Sequence, residues 1–231
     1  MIAKRLLFIL LLVPLLTLAE EGAALDKAPD RSRDIAGLQH GAKIFVNYCL
    51  NCHGASAMRY NRLQDLDLTD AQIKDNLMFT ADKIGEPMAI AMRRADAKKW
   101  FGAAPPDLSV IARARGADWL YTYLRSFYRD ENRPTGWNNV VFPNVGMPHA
   151  LWELQGRQEM GPNEHLQLVK PGKLSAEEYD GLVADLVGYL VYMGEPVGVF
   201  RKQLGVVVLM ALAVLFVFAY ALKKEYWKDV H

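Results

Sequence analysis

Both cysteines of this 231-residue chain fall in one pentapeptide, Cys49-Leu50-Asn51-Cys52-His53. C-x-x-C-H is the spacing of a c-type haem attachment site. On a helical turn the two thiols share a face, where they reach the two vinyl groups of a porphyrin. His53 then meets the iron as an axial ligand, and the ligand opposite it sets much of the reduction potential. Two other chemistries compete for a pair of cysteines at this spacing. A zinc site calls for further cysteines or a spaced pair of histidines, whereas His40, His149, His165 and His231 are scattered. A thioredoxin-like dithiol calls for a βαβ setting, whereas the segment before Cys49 reads as helix, with Leu38, Ile44, Phe45 and Tyr48 near one face.

Iron held by His53 needs a sixth ligand if its task is electron transfer, because two strong axial ligands block exchange with outside molecules. A thioether raises the potential relative to a second imidazole. Met58, Met78, Met88, Met92, Met147, Met160 and Met193 are candidates, together with the histidines. Any one methionine is more often a filler of core gaps than a ligand. Met147 is the best placed, between Gly146 and Pro148 in a turn-rich stretch, and His149 is a near rival. Haem propionates need cations or hydrogen-bond donors where they are partly buried. Arg113 and Arg115 follow Ala104-Pro105-Pro106-Asp107-Leu108-Ser109, although solvation at a helix end is the simpler reading of both. Pro105 and Pro106 stiffen an apolar approach that suits a haem wall or a turn.

Helical patterning dominates the elements that must position these groups, and no stretch alternates as a sizeable sheet would. A first helix is expected from about Asp34 to His53. Thr69 and Gln72 have capping-box spacing ahead of a short helix through Leu77. A further helix is expected from Asp118 to Tyr128, with Leu120, Tyr123, Leu124 and Phe127 as its apolar side. Ser175 and Glu178 open another capping box, after which Tyr179, Leu182, Val183, Leu186, Tyr189, Leu190 and Met193 repeat at helical intervals. Between these, Pro134, Gly136, Pro143, Gly146 and Pro148 punctuate a stretch from Asn132 to Pro148 that reads as a long surface-hugging loop.

The two ends are apolar in different ways. Lys4 and Arg5 precede the run Leu6 to Leu18, and small residues follow at Ala19, Ala23 and Ala24, the layout of a secretory signal peptide over residues 1–19, extending to about 24 if cleavage is later. Leu204 to Leu222 carries no charge and has the length of a hydrocarbon core, so it is expected to span a membrane. Export of the amino end, with Lys223, Lys224 and Lys228 after the span, places a tail of residues 223–231 in the cytoplasm. Residues 25–198 form one exported domain between them. From Glu20 to Phe200 there are 24 Asp plus Glu against 20 Lys plus Arg, a net charge of −4. That balance argues against a nucleic-acid partner and favours a basic soluble one, if it is more than ordinary surface solvation.

Taken together, these pieces resemble the cytochrome c1 family, the haem subunits of quinol:cytochrome c oxidoreductase, the cytochrome bc1 complex. The resemblance covers nearly the whole chain. Its residues are Gly41-Ala42-Lys43-Ile44-Phe45 before the pentapeptide, Met58-Arg59-Tyr60-Asn61-Arg62-Leu63 after it, and Trp100-Phe101-Gly102-Ala103-Ala104-Pro105-Pro106-Asp107-Leu108-Ser109. Asn144-Val145-Gly146-Met147-Pro148, the carboxyl-terminal span and the tail Lys223-Lys224-Glu225-Tyr226-Trp227-Lys228 also match bacterial members. The resemblance implies a mostly α, class I cytochrome c-like haem domain with long loops and a single carboxyl-terminal transmembrane helix. It implies one covalently attached haem c, with Cys49 and Cys52 as thioether attachment points, His53 as proximal ligand and Met147 as distal ligand. An arginine near a propionate maps onto Arg115, and a proline at the haem edge onto Pro106. One departure concerns the distal loop: many members carry further prolines after the methionine, whereas Met147-Pro148 is followed here by His149-Ala150. The change bears on the loop's stiffness and on how exposed that haem edge is.

The implied function is outer-sphere electron transfer from a Rieske iron-sulfur protein to a soluble cytochrome c. The chain would have no catalytic residue of its own and would serve a proton-translocating complex beside cytochrome b. Its setting would be the lipid bilayer of a bacterial inner membrane, with the haem domain in the periplasm. Three readings compete: a membrane-anchored mono-haem cytochrome c that donates to a terminal oxidase, a gas-binding haem module with an open sixth position, and a dithiol oxidoreductase without haem.

Overall fold

The computed structural model describes residues 23–163 and 165–229. The leader expected at 1–19 lies outside them. Helix α1 (Ile35–Ile44) begins where the Asp34 carboxylate accepts the Gly37 backbone N–H at 2.9 Å. It then widens into a π turn over Phe45–Cys49, closed by the Leu50 N–H on the Phe45 carbonyl at 2.9 Å. The expected single helix to His53 is corrected accordingly. The apolar face of α1 continues in register, but Cys49, Cys52 and His53 sit on and just past a looser turn.

Strand β1 (Ala55–Arg59) pairs antiparallel with β2 (Pro87–Met88), and a 3₁₀ turn at Tyr60–Leu66 leads to α2 (Asp70–Asn76). The expected capping box is present: the Gln72 N–H donates to Thr69 Oγ1 and the Thr69 N–H donates to Gln72 Oε1. Helices α3 (Arg94–Phe101), α4 (Ile111–Arg115) and α5 (Ala117–Arg125) follow. Gly116 lies between the last two with φ +89°, a conformation that costs a side-chain-bearing residue and lets the chain turn sharply.

Helix α5 ends at Arg125 rather than Tyr128. Phe127 is fully buried, and Phe127–Arg129 becomes strand β3, paired antiparallel with β4 (Trp137–Asn139). The stretch from Asn132 to Pro148 is therefore only partly a surface loop. Its middle is a strand, with Trp137, Asn138 and Asn139 all buried, because the long-range pairing and the Phe127 pocket outweigh local turn preferences. After α6 (Trp152–Gln155), β5 (Gly156–Met160) and β6 (Leu166–Pro171) form a third hairpin. Helix α7 (Ala176–Gly194) starts at the expected Ser175–Glu178 capping box.

The core lies between α1 and α7, with α5 and the 3₁₀ turn around it. Leu38, Phe45, Tyr60, Leu63, Val183, Leu186 and Tyr189 are almost wholly removed from solvent. Each large apolar side chain buried in this way contributes about 1.5–3 kcal/mol. The Phe45 and Tyr189 rings meet at 5.6 Å. The two helices touch so closely at Gly41 that a Cβ there would lie 2.1 Å from the Asp185 carbonyl oxygen. Helix α8 (Gly198–Tyr226) leaves this body with none of its residues buried. Among the described residues it is the one helix long and apolar enough to cross a membrane. The helix runs from six residues before the expected span of 204–222 to four residues after it.

Candidate haem site

Cys49 packs against the main core, and Cys52 is half-buried. The two thiols are unpaired, three residues apart on the turn where the Cys52 and His53 N–H groups both reach the Cys49 carbonyl, at 3.0 and 2.9 Å. Burial, with Cys52 alongside, pushes the Cys49 thiol up to about 12. A dithiol oxidoreductase needs the opposite, a thiol poised to ionise.

His53 is oriented by a residue far along the chain. Its Nδ1 lies 2.8 Å from the Pro106 carbonyl, so Nδ1–H donates and Nε2 keeps its lone pair. Burial lowers the imidazole's basicity, only partly opposed by Pro106 and the nearby Asp107 carboxylate, which favours the neutral, ligating form. Asp107 in turn fixes the loop. Its two oxygens accept the Ser56 and Ser109 N–H groups at 2.8 and 2.9 Å, and the Leu108 N–H donates to the Gly54 carbonyl at 2.8 Å. Burial pushes the Asp107 carboxyl up, but these bonds outweigh it and hold it below its ordinary value.

Met147 sits in a second cluster, with Val145, Phe127, Trp137 and Tyr123 around it. Tyr123 Oη donates to Met147 Sδ at 3.3 Å. The loop that carries Met147 is shaped by three polar side chains. Asn139 Oδ1 accepts the Val141 and Phe142 N–H groups, Asn138 Oδ1 accepts the Asn144 N–H, and Arg133 grips the Asn144 side chain and carbonyl at 3.0 and 2.9 Å. Asn144 itself adopts φ +63°, which asparagine tolerates better than most residues. These bonds brace the backbone just ahead of Met147.

His149, the rival ligand, is 3% exposed, with its ring flat against Phe127 at 4.9 Å and edge-on to Trp137 at 5.1 Å. Burial pushes it down to about 4, so it is a neutral wedge behind the loop.

The two arginines separate. Arg113 pairs with Glu195 at 3.7 Å, at the end of α7. Arg115 lies over the rings of Trp119 at 5.1 Å and Phe142 at 6.0 Å. Trp119 stacks on Tyr123 at 4.8 Å, so Arg115 belongs to the Met147 side. The segment around Trp100–Ser109 spans both sides, because Pro106 meets His53 while a Cβ on Gly146 would lie 3.1 Å from the Phe101 carbonyl oxygen.

A profile described as the cytochrome C1 family matches residues 27–230. The chain belongs to that family. Among its cytochrome c1 relatives, the protein of that name from Allochromatium vinosum is 49% identical over 235 residues, covering 96% of each chain. A protein from Nitrosomonas europaea named ammonia monooxygenase gamma subunit is 51% identical over 230 residues, 99% of this chain and 98% of its own. The mitochondrial cytochrome c1 haem protein of Neurospora crassa is 27% identical over 247 residues, 92% of this chain and 70% of its own. Membership of the cytochrome c1 family makes haem c the expected cofactor, and the donor set fits it: two unpaired thiols, an imidazole with one nitrogen engaged and one free, and a thioether on a braced loop.

Sequence reasoning placed Tyr123 on the apolar side of a helix and gave no sign of its hydrogen bond to Met147 Sδ. It also did not single out Asn138 and Asn139, whose side chains hold the loop's backbone. Two asparagines in a stretch punctuated by proline and glycine signal turns, but not which backbone groups they would hold.

Proposed function

We propose that this chain is the electron-transfer subunit of a quinol:cytochrome c oxidoreductase, taking electrons from a Rieske iron-sulfur protein and passing them to a soluble cytochrome c. One haem c supplies a one-electron iron couple when bound. Cys49 and Cys52 would tether it through thioethers, His53 and Met147 would ligate its iron, Arg115 would supply a cation for a propionate and Pro106 would stiffen the wall beside it. The observation that carries this reading is the His53–Pro106 hydrogen bond, which frees one imidazole nitrogen beside two unpaired cysteines. The protein's own work is to orient the imidazole, brace the thioether loop and exclude water from one side of the site. Residues 25–198 form the periplasmic domain, α8 anchors it in the inner membrane, and residues 223–231 lie in the cytoplasm. The tether holds the domain beside cytochrome b and the Rieske protein, so repeated transfers need no search through bulk solution.

Isolation of the native membrane complex tests this. A b-type cytochrome and a Rieske protein should copurify, and the denatured chain should retain peroxidase-active haem. Copurification with an ammonia-oxidising assembly, the kind the Nitrosomonas relative's name denotes, or with a terminal oxidase, would refute the assignment.

A further inference from the structure

Where α8 leaves the body, its first turns face the segment that leads into α1, and a cleft of about 560 Å³ opens between them. That is the size of a small-ligand site. Asp30, Ser32, Arg33 and Asp34 line one wall, and Val199, Lys202 and Gln203 the other. The lining carries two carboxylates and two cations, so it has no net charge. Its charges are only partly engaged. Asp34 pairs with Arg31 outside the cleft at 3.5 Å, and Arg201 is taken by Glu195. Among the described residues Arg33 and Lys202 have no ion-pair partner, and Asp30 uses one oxygen alone, Oδ1, which accepts the Ser32 N–H at 2.9 Å. Bonds from Ser32 do most to lower the Asp30 carboxyl, with smaller help from Lys202 across the cleft and from Arg33, so it stands ionised there.

The depth of the cleft is also specific. Lys202 and Gln203 directly precede the uncharged run 204–222. At 1.5 Å of rise per residue the lining residues of α8 therefore lie about 2–8 Å outside the hydrocarbon, within a headgroup layer of about 5–8 Å. Val199, Gln203, Val206 and Met210 share one face of the helix, and Val206 and Met210 are exposed, so an acyl chain can run down α8 from the cleft.

We propose that this cleft is a headgroup site for an amine-bearing zwitterionic phospholipid, of the kind of phosphatidylethanolamine. Arg33 and Lys202 clamp the phosphate, Asp30 takes the ammonium, and Ser32 and Gln203 serve the remaining oxygens. This rests on the reading of α8 as a membrane anchor. A headgroup of both signs meets both signs of the lining. A glycerol headgroup brings no cation to Asp30, and a choline headgroup brings no N–H, so each forgoes a charge-assisted hydrogen bond. The bound lipid ties the segment before α1 to the outer end of α8 and so fixes how the haem domain stands on the bilayer.

The test places the native complex in nanodiscs of phosphatidylcholine, alone or with part of it replaced by phosphatidylethanolamine or phosphatidylglycerol, and follows amide hydrogen exchange over residues 30–34. Phosphatidylethanolamine should slow that exchange about tenfold, as one charge-assisted bond supplies, and phosphatidylglycerol should do so far less. The double variant Arg33→Gln with Lys202→Gln should lose the protection, and Asp30→Asn should lose the preference between the two lipids. Equal exchange in all three wild-type discs overturns the proposal without need of any variant. Protection by phosphatidylglycerol as strong as by phosphatidylethanolamine, or protection that survives in the double variant, overturns it as well. Release of the chain from native membranes by alkaline carbonate would instead refute the anchor on which the proposal rests.

Discussion

His53 Nδ1 and the Pro106 carbonyl oxygen stand 2.8 Å apart, although 53 positions separate them in the chain. That carbonyl is held in place by Asp107, through its bonds from Ser56 and Ser109. Asp107→Ala leaves two backbone donors without their acceptor and should cost about 1–3 kcal/mol. Thermal unfolding of the holo-protein should show it, with Asp107→Asn falling between the alanine variant and wild type. Equal stability of all three would detach the loop from the imidazole.

The Met147 loop should loosen without global unfolding when Arg133 is removed. Arg133→Ala loses two bonds to Asn144, worth about 1–2 kcal/mol locally. Carbon monoxide should then bind the ferrous protein about tenfold faster, by the factor that 1.4 kcal/mol represents. An unchanged rate would show that the loop is braced elsewhere.

Asn139 is nearly inaccessible and serves both α5 and the loop. Asn139→Ala orphans several buried polar groups at once and should destabilise the domain by about 2–4 kcal/mol. Chemical denaturation of wild type and variant measures this directly.

Gly41→Ala should be among the costliest single-methyl additions in the domain. Its Cβ would press on the Asp185 backbone, which cannot rotate away, so α1 and α7 must separate at a cost of about 1–3 kcal/mol or more. A melting temperature equal to wild type would show that the helices slide past one another freely.

The amino-terminal segment should open in acid. Asp118 accepts the Ala28 N–H at 2.8 Å, and this bond, with Lys27 nearby, holds its carboxyl below the ordinary range. A depressed folded-state pKa gives stability that is present above the unfolded value and is lost as pH falls through the folded one. Limited proteolysis between residues 23 and 30 should therefore rise only below the usual carboxylate range, and Asp118→Asn should shrink that step.

The sequence by itself determined what is local or periodic. The pentapeptide around Cys49, the capping boxes at Thr69 and Ser175, the apolar side of α7 and the uncharged run of α8 all depend on spacing along one element, and each was legible there. The tertiary structure alone decided what depends on contacts between distant segments. Phe127 leaves the expected helix because its pocket and the Trp137–Asn139 strand compensate the lost turn. The choice of Pro106 for His53, of Tyr123 for Met147, and of Arg115 rather than Arg113 for the aromatic cluster arises where the Trp100–Ser109 segment, α5 and the asparagine-braced loop meet. A hydrogen bond is set by a distance of about 3 Å, and no pattern within one segment records which remote group the fold will bring that close.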